Sequence, residues 1–364
     1  MYWGRLPIHL SGVYIQYSRF FNNQIKWIQA VGEKIMNVQT MDIYVDGYQV
    51  QSHYYEDNGY IMIPAIFFKH TKVLVDGDGE QQSITLKKNN ITITLYVNHF
   101  VVLLEEDNQI KYDTIAATPF KYGGKIFIPF QYVSQKLGFS ILECPNQSIS
   151  LLTGPSCKND ETVFYKGRIN KNKKRASLTF DDGPDNINTP RILDILFDKK
   201  VPATFFVIGQ QISYHPEIFK RMINEGHEVG NHSWSHPNFI ELTASEIKNE
   251  IESTEAVIRS YMGKSTSILR PPYGLFTNMD IQIINDLGYK VILWSVDTLD
   301  WSGLTTEEII SIVDRDLTEG AIILQHCFYS TKGTLDGTIK ALPEIIDKLI
   351  NEGYEIVPVS MLLE

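Results

Sequence analysis

Five short strand-like runs in the second half of this chain each stop at a polar cluster, and that repetition restricts the fold more than any other feature. Residues 176–180 run straight into Asp181-Asp182-Gly183-Pro184. A run this short, rich in β-favouring residues, reads as a strand that Gly-Pro ends abruptly. The stretch 226–231 precedes His232 and His236, and 267–269 leads into Arg270-Pro271-Pro272-Tyr273-Gly274. Residues 291–294 precede Asp297 to Trp301, and 322–324 end in Gln325-His326. Further strand-like and helix-like stretches lie between, at 203–207, 243–261, 305–316 and 342–352. Alternation of this kind implies a parallel β/α architecture. In such folds ligands bind at the carboxyl ends of the strands.

The clusters carry chemistry as well as topology. Adjacent carboxylates repel and cost stability unless something nearby uses their charge. Histidines four residues apart lie on one face of a helical turn, where both imidazoles reach a single ion. Two histidines and one aspartate form a recognised ligand set for catalytic zinc, with the fourth position open. Arg270 offers a fixed cation on a proline-stiffened loop. Each cluster alone has an ordinary explanation: an acidic turn, a structural histidine pair, a proline loop. Five at five strand ends are hard to explain as accidents.

The ordered set resembles the polysaccharide deacetylases of carbohydrate esterase family 4, which share the NodB homology domain. The motifs are Thr179 to Pro184, His232 to His236, Arg270 to Gly274, Asp297 to Trp301 and Leu324 to His326, within residues 170–364. The resemblance implies a distorted (β/α) barrel with fewer than eight regular strands. It implies that Asp182, His232 and His236 hold one divalent metal ion, zinc first and cobalt as another candidate. Asp181 would act as general base and Arg270 would hold its carboxylate in place. The backbone N–H of Tyr273 would stabilise an oxyanion. His326 would protonate the leaving amine, with Asp297 beside it raising its pKa. Leu324 and Trp301 would line a pocket for the acetyl methyl group. The implied reaction removes N-acetyl groups from an N-acetylglucosamine-containing polysaccharide, peptidoglycan first. Chitin oligomers, poly-N-acetylglucosamine and O-acetylated xylan are alternatives of the same chemistry. A non-catalytic envelope-binding protein is the alternative of another class, and a two-carboxylate glycosidase is remote. The expected partners are the acetylated polysaccharide and the bacterial cell wall, met by a monomer.

The first half is organised differently. Gly59 to Pro64 is echoed by Gly124 to Pro129, and Gln82 to Leu86 by Gln147 to Leu151, both at an offset of 65. Two matches at one offset mark an internal duplication. Each unit holds a strand ending in Ile-Pro, a helix-like stretch (132–137 in the second) and a closing strand, with the alternating run 91–95 between them. The pattern resembles the copper-amine-oxidase N-terminal-like module, a small α+β domain, although no histidine cluster for copper is present. A wall-binding or positioning role and a plain spacer stand equal. The expected division is 1–37 of unclear role, 38–153 the duplicated module, 154–175 a basic linker and 176–364 the NodB-like domain. Residues 166–175 hold six basic side chains and no acidic one, as a solvated connector would.

Net charge is −10, and residues 161–364 hold nearly all of it, with 29 acidic against 20 basic side chains. That balance argues against a nucleic-acid partner. Cys144, Cys157 and Cys327 show no Cys-x-x-Cys spacing and indicate neither a disulfide framework nor a zinc knuckle. No apolar stretch approaches a membrane span, and the first residues lack the pattern of a secretion signal. The implied substrate lies outside the cell. The expectation is therefore an extracellular or envelope-associated protein whose signal or anchor is missing from this chain, or whose start is misassigned.

Overall fold

A computed structural model describes residues 38–46, 48–57, 59–143, 149–152, 162–169, 173–328 and 335–364. The expected segment 1–37, Cys144, Cys157, and Gln147 and Ser148 of the second repeat lie outside the described residues. The first half opens with β1 (Gln39–Val45), β2 (Tyr48–Asp57) and β3 (Tyr60–Pro64), then a short 3-10 helix over Ala65–Thr71. A meander follows: β4 (Leu74–Asp78), β5 (Ser83–Lys88), β6 (Ile91–Tyr96), β7 (Val101–Glu106) and β8 (Gln109–Thr114). β9 (Phe120–Tyr122), β10 (Lys125–Pro129), α1 (Phe130–Lys136), β11 (Ser140–Glu143) and β12 (Ile149–Leu152) complete it. One sheet has the order β11-β12-β1-β2-β3-β10-β9, and the meander forms its own five-stranded sheet. The module is thus richer in strand than the α+β expectation.

The duplication is visible in the pairing. β3 and β10 run antiparallel, and Ile63 pairs with Ile128. Since 128 − 63 = 65, these two isoleucines are counterparts, and a local pseudo-two-fold axis passes between them. The prolines Pro64 and Pro129 end these strands and start the two helical stretches, where a fixed φ suits a helix entry. Ile63, Phe68, Ile128, Phe130 and Val133 meet in one buried cluster together with Leu86, Ile93 and Leu95 of the meander.

The second half is the expected β/α alternation. Its elements are β13 (Val163–Phe164), β14 (Lys174–Asp181), α2 (Asn188–Lys199), β15 (Thr204–Val207), α3 (Gly209–Tyr214), α4 (Pro216–Asn224) and β16 (Glu228–Asn231). Then come α5 (Ala244–Met262), β17 (Ile268–Leu269), α6 (Asn278–Asp286), β18 (Lys290–Ile292), β19 (Val296–Asp297), α7 (Thr306–Asp316), β20 (Ala321–His326), α8 (Asp336–Asn351), β21 (Tyr354–Ile356) and α9 (Val359–Leu362). The strands pair in parallel in the order β13-β18-β17-β16-β15-β14-β20-β19, with β21 also on β14. Three of the strands in this path, β13, β17 and β19, are only two residues long. Alternation along β15 splits the core: Phe205 and Val207 join Ile192, Leu193, Leu342 and Ile346 of α2 and α8. Phe206 faces the other way, toward Ile268, Ile292, Ile322 and Leu362.

The polypeptide closes one end of this sheet and leaves the other for chemistry. The Val357 N–H donates to Ala176 O at 3.0 Å, and the Val359 N–H donates to Thr204 Oγ1 at 3.0 Å. These contacts seat α9 at the amino ends of β14 and β15. At the carboxyl ends, Asp181 stands in register with His326 on one side and Phe206 on the other. Part of the expected linker is sheet rather than connector. Val163 and Phe164 pair with Val291 and Ile292, and β14 already begins at Lys174. The edge of β18 needs a partner for its backbone groups, and this segment supplies it.

Candidate active site

Asp181 and Asp182 are neighbours in sequence but point to different partners. β14 ends at Asp181, and Asp182 adopts a left-handed conformation with φ 74°, which aspartate tolerates better than most residues. Oδ1 of Asp182 lies 3.3 Å from Nε2 of both His232 and His236. That oxygen is buried with no hydrogen-bond partner, a state that costs free energy unless a cation answers it. The three side chains offer ligand atoms all within 4.8 Å of one another. One carboxylate oxygen and two imidazole nitrogens fit a catalytic zinc site.

The imidazoles are prepared for that use. Nδ1 of His232 lies 2.6 Å from Arg270 O. A carbonyl only accepts, so Nδ1 carries a hydrogen, and the bond turns Nε2 toward Asp182. Burial, reinforced by the neighbouring His232, lowers His236 to about 4, so its imidazole is neutral near pH 7.

The histidines do not share a helical turn, contrary to the spacing argument. β16 ends at Asn231, and residues 232–236 form a loop with Ser233 at φ 66° and His236 at φ 61°. Glu250 of α5 holds this loop: it accepts from the N–H groups of Trp234 and Ser235 and from Ser235 Oγ, each at 2.8 Å. Asn231 Oδ1 accepts from the Ser233 N–H at 2.9 Å. The backbone of a left-handed residue cannot continue a helix, so side-chain anchors replace helical hydrogen bonds. Glu250 lies fourteen residues beyond His236 on another element, and no local pattern marked it.

Arg270 is where the sequence placed it. Its Nη1 is 2.6 Å from Asp181 Oδ1 and 3.0 Å from Thr179 Oγ1. Nε and Nη2 donate to Ile292 O and Leu293 O at 3.2 and 3.0 Å. The guanidinium is fully buried, 4.1 Å from the centroid of Phe206. Burial lowers its pKa, and the Asp181 charge opposes that. Asp181 Oδ2 lies 3.7 Å from His232 Nε2, so the arginine aims one oxygen and leaves the other toward the cluster.

His326 has a different partner from the expected one. Its Nδ1 is 2.7 Å from Asp300 Oδ1, and its N–H donates to Asp300 Oδ2 at 2.9 Å. Thr338 Oγ1 also donates to Oδ2, at 2.9 Å. Asp297, expected beside the imidazole, instead accepts the Leu299 N–H at 3.0 Å and acts on Arg270 through its charge. The cause is local. Leu299 sits at φ 54°, and the 3-10 turn Asp300–Ser302 that follows folds the second aspartate of the motif back onto β20. Burial pulls His326 down, but the Asp300 charge and hydrogen bond, with smaller contributions from Asp182 and Asp181, raise it to about 9.

The expected substrate residues divide by exposure. Tyr273 is 62% exposed at φ 60°, and its ring meets His236 edge-on with centroids 4.6 Å apart. Trp301 is 52% exposed in the turn that carries Asp300. Leu324 is buried in β20, in register with Asp297 and Thr179. Behind the carboxylates, the Cys327 thiol donates to Asp181 O at 3.3 Å, and burial pushes its pKa up. It packs; it is not aimed at the cluster.

Comparison with known proteins agrees with this geometry. A profile described as polysaccharide deacetylase matches residues 168–292, and one described as copper amine oxidase N-terminal domain matches 44–150. A Bacillus cereus peptidoglycan-N-acetylglucosamine deacetylase is 38% identical over 193 residues, which are 53% of this chain and 70% of that protein. The chain belongs to the polysaccharide deacetylase family. A peptidoglycan-N-acetylmuramic acid deacetylase of Bacillus subtilis is 39% identical over 54% of this chain, and the match spans 40% of that protein's length. A crystal structure of a peptidoglycan N-acetylglucosamine deacetylase in complex with 4-naphthalen-1-yl-N-oxidanyl-benzamide superposes with a TM-score of 0.53. It is 37% identical and covers 56% of this chain and 92% of that one. Among the described residues no helix of this deacetylase is long and apolar enough to cross a membrane.

Proposed function

We propose that this deacetylase hydrolyses N-acetyl groups of an N-acetylglucosamine-containing polysaccharide, with peptidoglycan first among substrates, using a metal ion held by Asp182, His232 and His236. The observation that carries the reading is the orphaned Asp182 Oδ1 facing two imidazole nitrogens, flanked by a carboxylate–guanidinium pair and a carboxylate–imidazole pair. The compound in the similar crystal structure is an N-hydroxy amide, a chemical class that chelates metals, which supports the same reading. Zinc suits this donor set, and cobalt would be accepted by it. When bound, the ion supplies Lewis acidity to water and to the acyl oxygen.

The residues of the chain then divide the proton work. Asp181, aimed by Arg270, takes a proton from the attacking water. The acetamide C–N bond breaks as His326, charged through Asp300, gives its proton to the leaving amine, releasing acetate and the free amino sugar. Tyr273 borders the metal cluster on its open side, and Leu324 and Trp301 contribute the acyl pocket. Relatives named for both sugars of peptidoglycan support a cell-wall substrate and an extracellular or envelope location for this chain.

The test measures acetate release from peptidoglycan, chitooligosaccharides and acetylxylan before and after exhaustive chelation. Release that disappears on chelation and returns with zinc or cobalt is expected. Full turnover by metal-free protein would refute the metal assignment, and release from acetylxylan alone would refute the N-acetyl assignment.

A further inference from the structure

Lys69 belongs to the N-terminal module, yet its ammonium is spent on the catalytic domain. Nζ donates to Phe239 O at 2.6 Å and to Leu242 O at 2.8 Å, and it lies 2.6 Å from Asp280 Oδ1. Both charged side chains are 0% exposed. Two carbonyls accept from the ammonium and the carboxylate balances its charge as an ion pair.

The two segments joined this way are the ones that carry the site. Phe239 lies three residues beyond His236. Asp280 accepts the Thr277 N–H at 2.8 Å through Oδ2, and Thr277 lies four residues beyond Tyr273. His236 and Tyr273 touch ring to ring at the site. The loops therefore meet twice, once over the metal cluster and once on Lys69.

Nothing in the module itself requires a lysine at this place. The counterpart in the second repeat, at 69 + 65 = 134, is Ser134, equally buried. Nor does the ion pair recommend itself as a source of stability. Burial lowers the Lys69 pKa and raises that of Asp280, and a desolvated pair of this sort seldom outperforms apolar packing. What it supplies is a fixed geometry between groups that must not move.

We infer that Lys69 is a positioning residue for the deacetylase reaction, holding the loop of His232 and His236 and the loop of Arg270 and Tyr273 at one separation. The N-terminal module is then part of the active-site scaffold, neither a spacer nor an independent wall-binding unit.

Two variants of the full chain decide it: Lys69→Met, and the paired Lys69→Met/Asp280→Asn, which leaves no buried charge alone and keeps an acceptor for the Thr277 N–H. Each is read for circular dichroism, for kcat and KM on a glycan the wild type deacetylates, and for the absorption spectrum of the cobalt-loaded protein. The expected result is a folded paired variant with kcat down about 10- to 100-fold, the scale of a displaced site, KM nearly unchanged, and altered cobalt bands. A folded paired variant with wild-type kcat and cobalt bands overturns the inference. A paired variant that does not fold overturns it as well, since Lys69 would then serve the fold as a whole. The inference rests on the metal reading, but the two fail separately. Wild type that takes up no cobalt sinks the metal reading, while the split between kcat and KM still decides Lys69.

Discussion

Asp300 grips His326 from two directions, with one carboxylate oxygen 2.7 Å from the ring Nδ1 and the other accepting the histidine's own N–H at 2.9 Å. The ring therefore cannot turn without breaking its bond to a carboxylate that also orders the end of β20. Its proton is held to about 9 by that carboxylate against the opposing effect of burial.

With His326 as the proposed acid, activity should fall as pH rises through its pKa. A metal ion at the cluster adds positive charge nearby, so the basic limb of the loaded enzyme lies below about 9. Asp300→Asn should move that limb of the kcat/KM profile down by about 1–3 pH units, the usual reach of one close opposite charge. Asp297→Asn should leave the limb where it is. The reverse pattern would restore Asp297 as the coupled group.

Asp181→Asn keeps an oxygen for Arg270 Nη1 and changes no metal ligand, but it cannot take a proton. Turnover should fall by about 10²–10⁴-fold, the span of a lost general base, with metal content by elemental analysis unchanged. Loss of the metal instead would mean that the two carboxylates have been assigned the wrong way round.

Glu250→Ala removes three hydrogen bonds from the histidine loop without touching a ligand. Zinc affinity measured by chelator competition should weaken about 10- to 100-fold, as for other residues that orient ligands. Unchanged affinity would show that the loop holds its shape without this anchor.

Gly183 has no room for a side chain: a Cβ there would lie 2.3 Å from Cys327 Sγ. Gly183→Ala should cost about 1–3 kcal/mol, as overpacking does, measured by denaturant unfolding. Adding Cys327→Ala should recover much of that loss, a non-additive coupling expected of residues in contact. Strict additivity would place the strain elsewhere.

The strand ends, the clustering of Asp182, His232 and His236 and the pairing of Arg270 with Asp181 were legible because a parallel sheet gathers its carboxyl ends, so residues distant in sequence are predictably brought together. What escaped depended on single backbone torsions or on distant anchors. Asp297 and Asp300 lie in one motif, and only the left-handed turn at Leu299 decides which of them faces His326. The helix expected from residue 342 begins at Asp336; Pro343 reads as a boundary, yet the chain passes through it in helical form. In the module, β8 carries Lys111 and Asp113 and is largely exposed, so apolar alternation gave no sign of it. Lys69 left no trace at all, since a lone lysine in a short polar and apolar mixture is ordinary.

The pseudo-two-fold axis between Ile63 and Ile128 has a consequence for assembly. A body built from two like halves can approach a partner in two orientations related by that axis, much as a symmetric plug enters a socket either way. Apolar contact discriminates poorly between such orientations. Presenting Ser134 to the catalytic domain would instead leave Asp280 buried without its cation, a penalty of about 3–5 kcal/mol. Divergence of the two copies at this position, together with Asp76, which accepts from Ser245 Oγ at 2.6 Å, keys the plug.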